Sequence, residues 1–487
     1  MKCSITTSLS VFVWVAAAAA ATAQTDEHAE GRALYRKSCA NCHGALLEGG
    51  MASSLVDGAW AFGDERDAIF RNIHDGIADR GMPAFGRVLT RAQIDAMIDF
   101  VLAAVPEAQK DPELPDAFAT LDYAVKVERF VEGLEIPWAI DFIDAKTALV
   151  TERPGRLRVV ENGRLRPEPV SDVPAVIHEG QGGMLDVAVD PEYAQNGWLY
   201  LGYSHELKDA PADANGRRPA MTRVVRGKLA GNRWIETQVV FEAPHDTYNN
   251  TRHHFGTRIV FDREGRLYFS IGDRGRDTQA QELERPNGKI HRVNRDGTVP
   301  KDNPFVGRKG ALPSIFSYGH RNPQGLAFHP ETGRLWDVEH GPRGGDELNI
   351  ITKGANYGWP LITYGIHYDG RIITDEKARP GLESPIHYWR PSLGIGGLDF
   401  YRGDLFPKWK GKALVTALNF REIQLLDIIG ERVLHAEVIG KGIGRIREAV
   451  TGPDGAIYVV LNRPDAIVRL TPLAAPAAAA SSAGSSR

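Results

Sequence analysis

The sequence predicts an all-β six-bladed β-propeller preceded by a small all-α domain, and three observations carry that reading. A unit of strand, Asp/Pro/Gly-rich turn and strand recurs at 138–151, 184–203, 258–272, 325–339, 398–417 and 448–461. Six such hairpins about fifty to seventy residues apart are the mark of a propeller with extra loops. A sandwich is the runner-up, but it does not need a repeated unit of this size. The 51 glycines and 29 prolines agree with many short strands joined by turns. From 26 to 106, by contrast, apolar residues recur at helical spacing.

In chain order, Lys2, an apolar run from Leu9 to Ala21 and Ala21-Thr22-Ala23 read as a cleaved secretory signal over 1–23. In the helical domain, 26–106, Gly31, Leu34 and Tyr35 share one helix face. Thr90 and Gln93 form a capping pair before Ile94, Met97, Ile98, Val101 and Leu102. Residues 107–121 are Pro/Asp/Glu-rich without periodicity and read as a linker. The propeller occupies 122–472, and an Ala/Ser/Gly tail, 473–487, is expected to be disordered. At 487 residues with net charge −4, nothing points to nucleic acid or an anionic membrane, and no later run is long enough to span a bilayer. A soluble protein exported to the periplasm is expected.

Of three cysteines, Cys3 leaves with the signal. Cys39 and Cys42 stand in C-A-N-C-H, where His43 favours covalent c-type haem attachment over a disulfide. His43 supplies one axial ligand. Met82, in R-G-M-P-A-F-G, is the preferred second; Met97 falls on a core stripe, and Met51 sits in a glycine-rich turn close behind the motif. The loop around Met82 resembles the methionine loop of class I cytochromes c.

In a propeller, the turns entering the inner strands and leaving the second strands share one rim. Gln181, His253-His254, Arg321-Asn322, Gly394–Gly397, Arg445 and Arg447 enter; Arg274, Gly341-Pro342, Asn419 and Asn462 leave. Polar groups remote in sequence thus converge on one mouth. Asp346 and Glu347 follow Gly341-Pro342 closely, as oxygen ligands of a hard cation such as calcium would.

The runs GQGGML, HHFGTRIVFD, IGDRGRD, GHRNPQGLAF, GANYGWP and GRIREAV, spread over 122–472, resemble the soluble quinoprotein aldose and glucose dehydrogenases, propellers that use pyrroloquinoline quinone (PQQ). The resemblance implies oxidation of an aldose at C1 to a lactone, with His254 as general base and Arg321 and Asn322 on the quinone. It places Gly341 and Pro342 carbonyls on a PQQ-bound calcium, and Glu347 with the Tyr357 carbonyl on a second calcium. Gln181, Asp346, Arg445 and Arg447 match pocket positions, and Tyr368 and Trp389 would line the sugar or quinone side. Asn419 stands where a lysine is common, and His253 where Asp or Asn is common. The fused haem would pass electrons one at a time to a respiratory acceptor. Two readings without PQQ compete: a calcium-dependent propeller lactonase, and a glycan-binding module.

Overall fold

The structure, a computed structural model, describes residues 27–44, 47, 52, 55–56, 62–77, 82–109, 111–214, 216–368 and 370–473. The signal segment 1–23, the tail beyond Leu473 and Met51 lie outside the described residues.

Among the described residues the N-terminal domain has four helices: α1 (Ala29–Ser38), α2 (Ala40–His43), α3 (Arg66–Asp75) and α4 (Arg91–Gln109). The capping pair forms as expected. Thr90 N–H donates to Gln93 Oε1 at 3.0 Å, and Gln93 N–H donates to Thr90 Oγ1 at 3.3 Å. α1 crosses α4 at Gly31, where a Cβ would collide with the carbonyl of Ala96. Only glycine permits so close a crossing.

Six antiparallel sheets follow. The six hairpins seen in the sequence are the two inner strands of each blade. The innermost strands are Pro137–Phe142, Met184–Val189, Ile259–Phe261, Pro323–Phe328, Ile395–Phe400 and Arg445–Thr451, which contact one another around the axis. Apolar clusters fill the space between each consecutive pair of blades. Alternate residues of each strand face the two neighbouring blades, so both faces are apolar.

At the axis, Arg258 Nη1 donates to Asp186 Oδ1 at 2.8 Å and pairs with Glu448. Those carboxylates also accept the Ile259 N–H at 2.6 Å and the Ile140 N–H at 2.9 Å. One buried guanidinium therefore ties together strands from four blades, its Nε reaching the Gln324 carbonyl at 3.2 Å.

The stretch read as a linker is more ordered than its composition suggests. α4 runs to Gln109, and Ala117–Ala119 is an edge strand on Ala124–Val131. That strand in turn pairs with Ala466–Pro472, so the last blade is closed by both ends of the propeller. Phe118 packs on the adjacent core cluster, and pairing to an existing edge overrides weak local propensity.

Candidate functional site

All the turns assigned to the mouth lie at one end of the blades. A wider cavity of ≈ 520 Å³, lined by Asp141, Arg402, Asp404, Thr451 and Asp454, lies among the inner hairpin turns at the opposite end. None of the chemistry-bearing turns reaches it.

His254 sits in the loop entering Ile259–Phe261, with φ at 55°. Its N–H donates to Gln181 Oε1 at 2.8 Å. Its Nδ1 lies 2.6 Å from Asp273 Oδ1; a carboxylate only accepts, so Nδ1 carries the proton and Nε2 presents a lone pair. Burial and then the Arg321 charge push the imidazole below its ordinary pKa, while Asp273 opposes them. A neutral imidazole with a free Nε2 is a proton acceptor at neutral pH.

Asp273 is the residue that sequence reasoning missed, although it lies within IGDRGRD. It is fully buried and accepts from Trp359 Nε1 at 2.8 Å and Gly275 N–H at 2.8 Å. Burial raises its carboxyl, but His254, the Arg321 charge and the Gly275 N–H hold it below the usual range. His253 is exposed and meets the His254 ring edge-on, with centroids 5.8 Å apart. Arg274 is not at the mouth either. It is fully buried, donating to the carbonyls of His253 and Thr251 and lying 3.5 Å from the Phe255 ring centroid, so it braces the His253–His254 loop from beneath. Burial, with Arg252 adding to it, pushes its guanidinium down to about 9.

The Arg321-Asn322 turn hangs on Glu339, whose Oε2 accepts both backbone N–H groups at 2.6 and 3.2 Å. Arg321 Nη1 donates to the carbonyls of Gly341 at 2.6 Å and His340 at 3.0 Å. Its guanidinium lies 5.4 Å from the Trp359 ring centroid and 6.0 Å from that of Tyr368. Asn322 Oδ1 accepts the Gly256 N–H at 3.2 Å. A small cavity of ≈ 10 Å³ is bounded by Arg321, Gly341, Pro342, Glu347 and Tyr357, which brings all four expected calcium-binding positions to one place. The Pro342 carbonyl accepts from Ser392 Oγ at 2.9 Å. Each carbonyl keeps a second lone pair, so these oxygens fit a hard cation. Asp346 is a brace: fully buried, it accepts the N–H of Gly341 at 2.9 Å and of Gly394 at 2.8 Å.

On the other side stand guanidiniums without acids. Arg447 Nη1 donates to Gln324 Oε1 at 2.8 Å while its buried Nε has no partner. Burial, then Arg445, Arg153 and Arg258, pushes its pKa well down. Arg445 reaches only Asn462 Oδ1, at 3.4 Å, and burial with Arg153, Arg463 and Arg421 lowers it to about 10. A buried and a half-buried guanidinium side by side, neither in an ion pair among the described residues, fit an anionic ligand such as a polycarboxylate. Asn419 is exposed and packs against Gly394, where a Cβ would meet its Cγ at 2.9 Å. Trp389 does not line the mouth: at 8 % exposure it packs among Val338, Leu348 and Leu393. Tyr368, 66 % exposed, is on the open side.

In the helical domain Cys39 caps the N-terminus of α2 and Cys42 lies within it, both as free thiols. Cys39 and Met82 join one apolar cluster with Ile94, Met97 and Ile98, and Met97, 1 % exposed, is core. Burial and the nearby Cys42 push the Cys39 thiol up to about 11. Two thiols and His43 on one short helix, with a thioether across an apolar cluster, fit a covalently held haem.

A propeller mouth of this kind, joined to a cytochrome c domain, defines the class of quinoprotein sugar dehydrogenases. The profile described as Glucose / Sorbosone dehydrogenase matches residues 134–469, and the chain belongs to that family. That described as Cytochrome C oxidase, cbb3-type, subunit III matches 26–101. The aldose sugar dehydrogenase YliI of Escherichia coli (strain K12) is 40% identical over 344 residues, covering 69% of this chain and 90% of that protein. Quinoprotein glucose dehydrogenase B of Acinetobacter calcoaceticus is 34% identical over 228 residues, 41% of this chain and 45% of its own. Among solved structures, a glucose dehydrogenase superposes with TM-score 0.66 at 39% identity, covering 72% of this chain and 100% of that one. The apo soluble aldose sugar dehydrogenase of E. coli gives 0.66 at 37%, again covering 72% and 100%.

Proposed function

We propose that the protein is a periplasmic PQQ-dependent dehydrogenase that oxidises an aldose at its C1 hydroxyl to the lactone and sends the electrons out through its own haem. The hydrogen bond between His254 and Asp273 is the observation that carries this reading. It fixes the imidazole with Nδ1–H on the carboxylate, leaving Nε2 to take the hydroxyl proton as the C–H bond breaks. Arg321, held by the Gly341 carbonyl and the Glu339 carboxylate, keeps a positive charge beside that centre, where developing negative charge is stabilised. Arg445 and Arg447 would hold the cofactor's carboxylates, Asn322 and Gln181 would border it, and the carbonyls of Gly341 and Pro342 would meet its calcium. When bound, PQQ supplies a two-electron acceptor for the C1 hydride, and haem c on Cys39, Cys42, His43 and Met82 supplies a one-electron acceptor.

The joining of both modules on one chain supports the electron path. Among the described residues no helix is long and apolar enough to cross a membrane, in keeping with a respiratory partner met in solution or at a membrane surface. The test is turnover of an aldose panel by purified protein with calcium, with and without PQQ, using an artificial acceptor and product analysis. PQQ-dependent lactone formation is expected. Lactone hydrolysis without PQQ, or sugar binding without oxidation, would replace this reading with a hydrolase or a binding module.

A further inference from the structure

Behind the Arg321-Asn322 turn the chain buries more acid than it neutralises. Asp337 and Glu339 project from one face of Leu335–Glu339, and across the ladder Asn349 and Glu347 stand opposite them on Asp346–Ile351. His320 reaches in from the preceding turn, its Nδ1 3.1 Å from Glu339 Oε1 and 3.8 Å from Asp337 Oδ2. One ligand atom each from His320, Asp337 and Glu339 falls within 4.8 Å of the others. Exposure is 0% for His320 and Asp337, 3% for Glu339 and 1% for Asn349. Among the described residues no lysine or arginine forms an ion pair with Asp337, Glu339 or Glu347.

Two facts separate this cluster from an ordinary polar network. Both carboxylate oxygens of Asp337 are buried without a hydrogen-bond donor, and so is Asn349 Oδ1. A buried carboxylate with neither donor nor counter-charge is costly, and it is relieved by a proton or by a cation. A lone proton on Asp337, donated to Asn349 Oδ1 across the ladder, would still leave the second Asp337 oxygen without a donor.

We propose that this cluster is a divalent-cation site formed by the carboxylates of Asp337 and Glu339, the amide oxygen of Asn349 and the His320 imidazole. Its donors are other than the Gly341 and Pro342 carbonyls and the Glu347-Tyr357 pair, although Glu339 also borders the small cavity that those positions line. A donor set mixing imidazole with carboxylates suits Mn²⁺ or Zn²⁺ better than calcium, which prefers six to eight oxygens. Ser317 Oγ, 2.9 Å from His320 Nε2, would fix the ring through its other nitrogen, as outer partners of metal-bound histidines do. Since Glu339 Oε2 holds the backbone of Arg321 and Asn322, the cation would stiffen the turn that carries both.

The experiment uses the full chain, stripped with a chelator, incubated with MnCl2, ZnCl2 or CaCl2 without PQQ, desalted, and assayed for metal by mass spectrometry beside its melting temperature. Wild type is expected to retain about one equivalent of Mn or Zn that Asp337→Asn does not retain. It should also show a metal-dependent rise in melting temperature that the variant lacks. Asp337→Asn keeps shape while removing charge, and Glu264→Gln, an exposed carboxylate on the neighbouring blade, should retain the equivalent. His320→Gln, with weakened uptake, is the second variant should Asp337→Asn fail to fold. No Mn or Zn uptake by wild type, or equal uptake by Asp337→Asn and His320→Gln, overturns the proposal and leaves a proton-sharing acid cluster.

Discussion

Replacing Asp273 with Asn tests the base assignment without altering the size of any side chain. In the native protein Asp273 is the group that raises the His254 pKa against burial and Arg321, through a contact of 2.6 Å. A hydrogen bond to a charged partner contributes about 1.5–3 kcal/mol. At about 1.4 kcal/mol per factor of ten, its loss from the transition state, where His254 becomes cationic, lowers kcat by about 10- to 160-fold. The pH profile gives the sign. His254 must be neutral to act, so kcat/KM rises with pH through its pKa. Removing the upward influence moves that acid limb to lower pH while the plateau falls. The Asn amide can still serve Trp359 or Gly275, so the loop is expected to survive, which the unchanged melting curve would show. The assay is steady-state turnover of PQQ-loaded protein over pH. A plateau within about twofold of wild type with an unmoved limb would refute the role of Asp273 and, with it, the tautomer argument for His254.

Arg447→Gln should weaken PQQ binding by about tenfold or more in fluorescence titration, through loss of one charge-assisted pair. The cofactor-free melting temperature should hold or rise, because a buried cation without an acid is removed. A large fall in stability would contradict that. Arg258→Met leaves Asp186 and Glu448 buried without their cation and should cost about 3–5 kcal/mol in denaturant unfolding; a loss below about 1 kcal/mol would mean that the axis is not held this way. His291 is fully buried and pushed by burial down to about 3, with Nε2 3.1 Å from the Pro286 carbonyl. Unfolded histidine takes up a proton near pH 6.5, so stability is full above that pH and declines towards pH 3, by at most about 5 kcal/mol. His291→Gln should flatten this slope.

The fold was legible because a propeller repeats its message. Each inner hairpin carries its own alternation and turn residues, so six weak signals added to one strong one. Residues tied to a recurrent position, such as His254, Arg321 and Gly341, could therefore be placed at one rim before any contact was known. What stayed hidden depended on contacts across blades. Asp273 is one of two acids in its motif, and only the folded chain puts it against His254 and Trp359. Arg274 carries the same formal charge as Arg447, yet three-dimensional packing sends one under Phe255 and the other towards the mouth. Trp389 shows the converse: an aromatic near a site motif whose place is the core between blades. The edge strand at Ala117–Ala119 has too little pattern of its own and exists because Ala124–Val131 offers an open edge.

The most direct measurement is rapid mixing of the calcium- and PQQ-loaded full chain with an aldose, following the haem bands without external acceptor. Reduction of the haem that requires both PQQ and sugar, and that is lost in His254→Gln, is the expected result. Sugar oxidation during which the haem stays oxidised would contradict the internal path, and haem reduction independent of PQQ would contradict the account of the site itself.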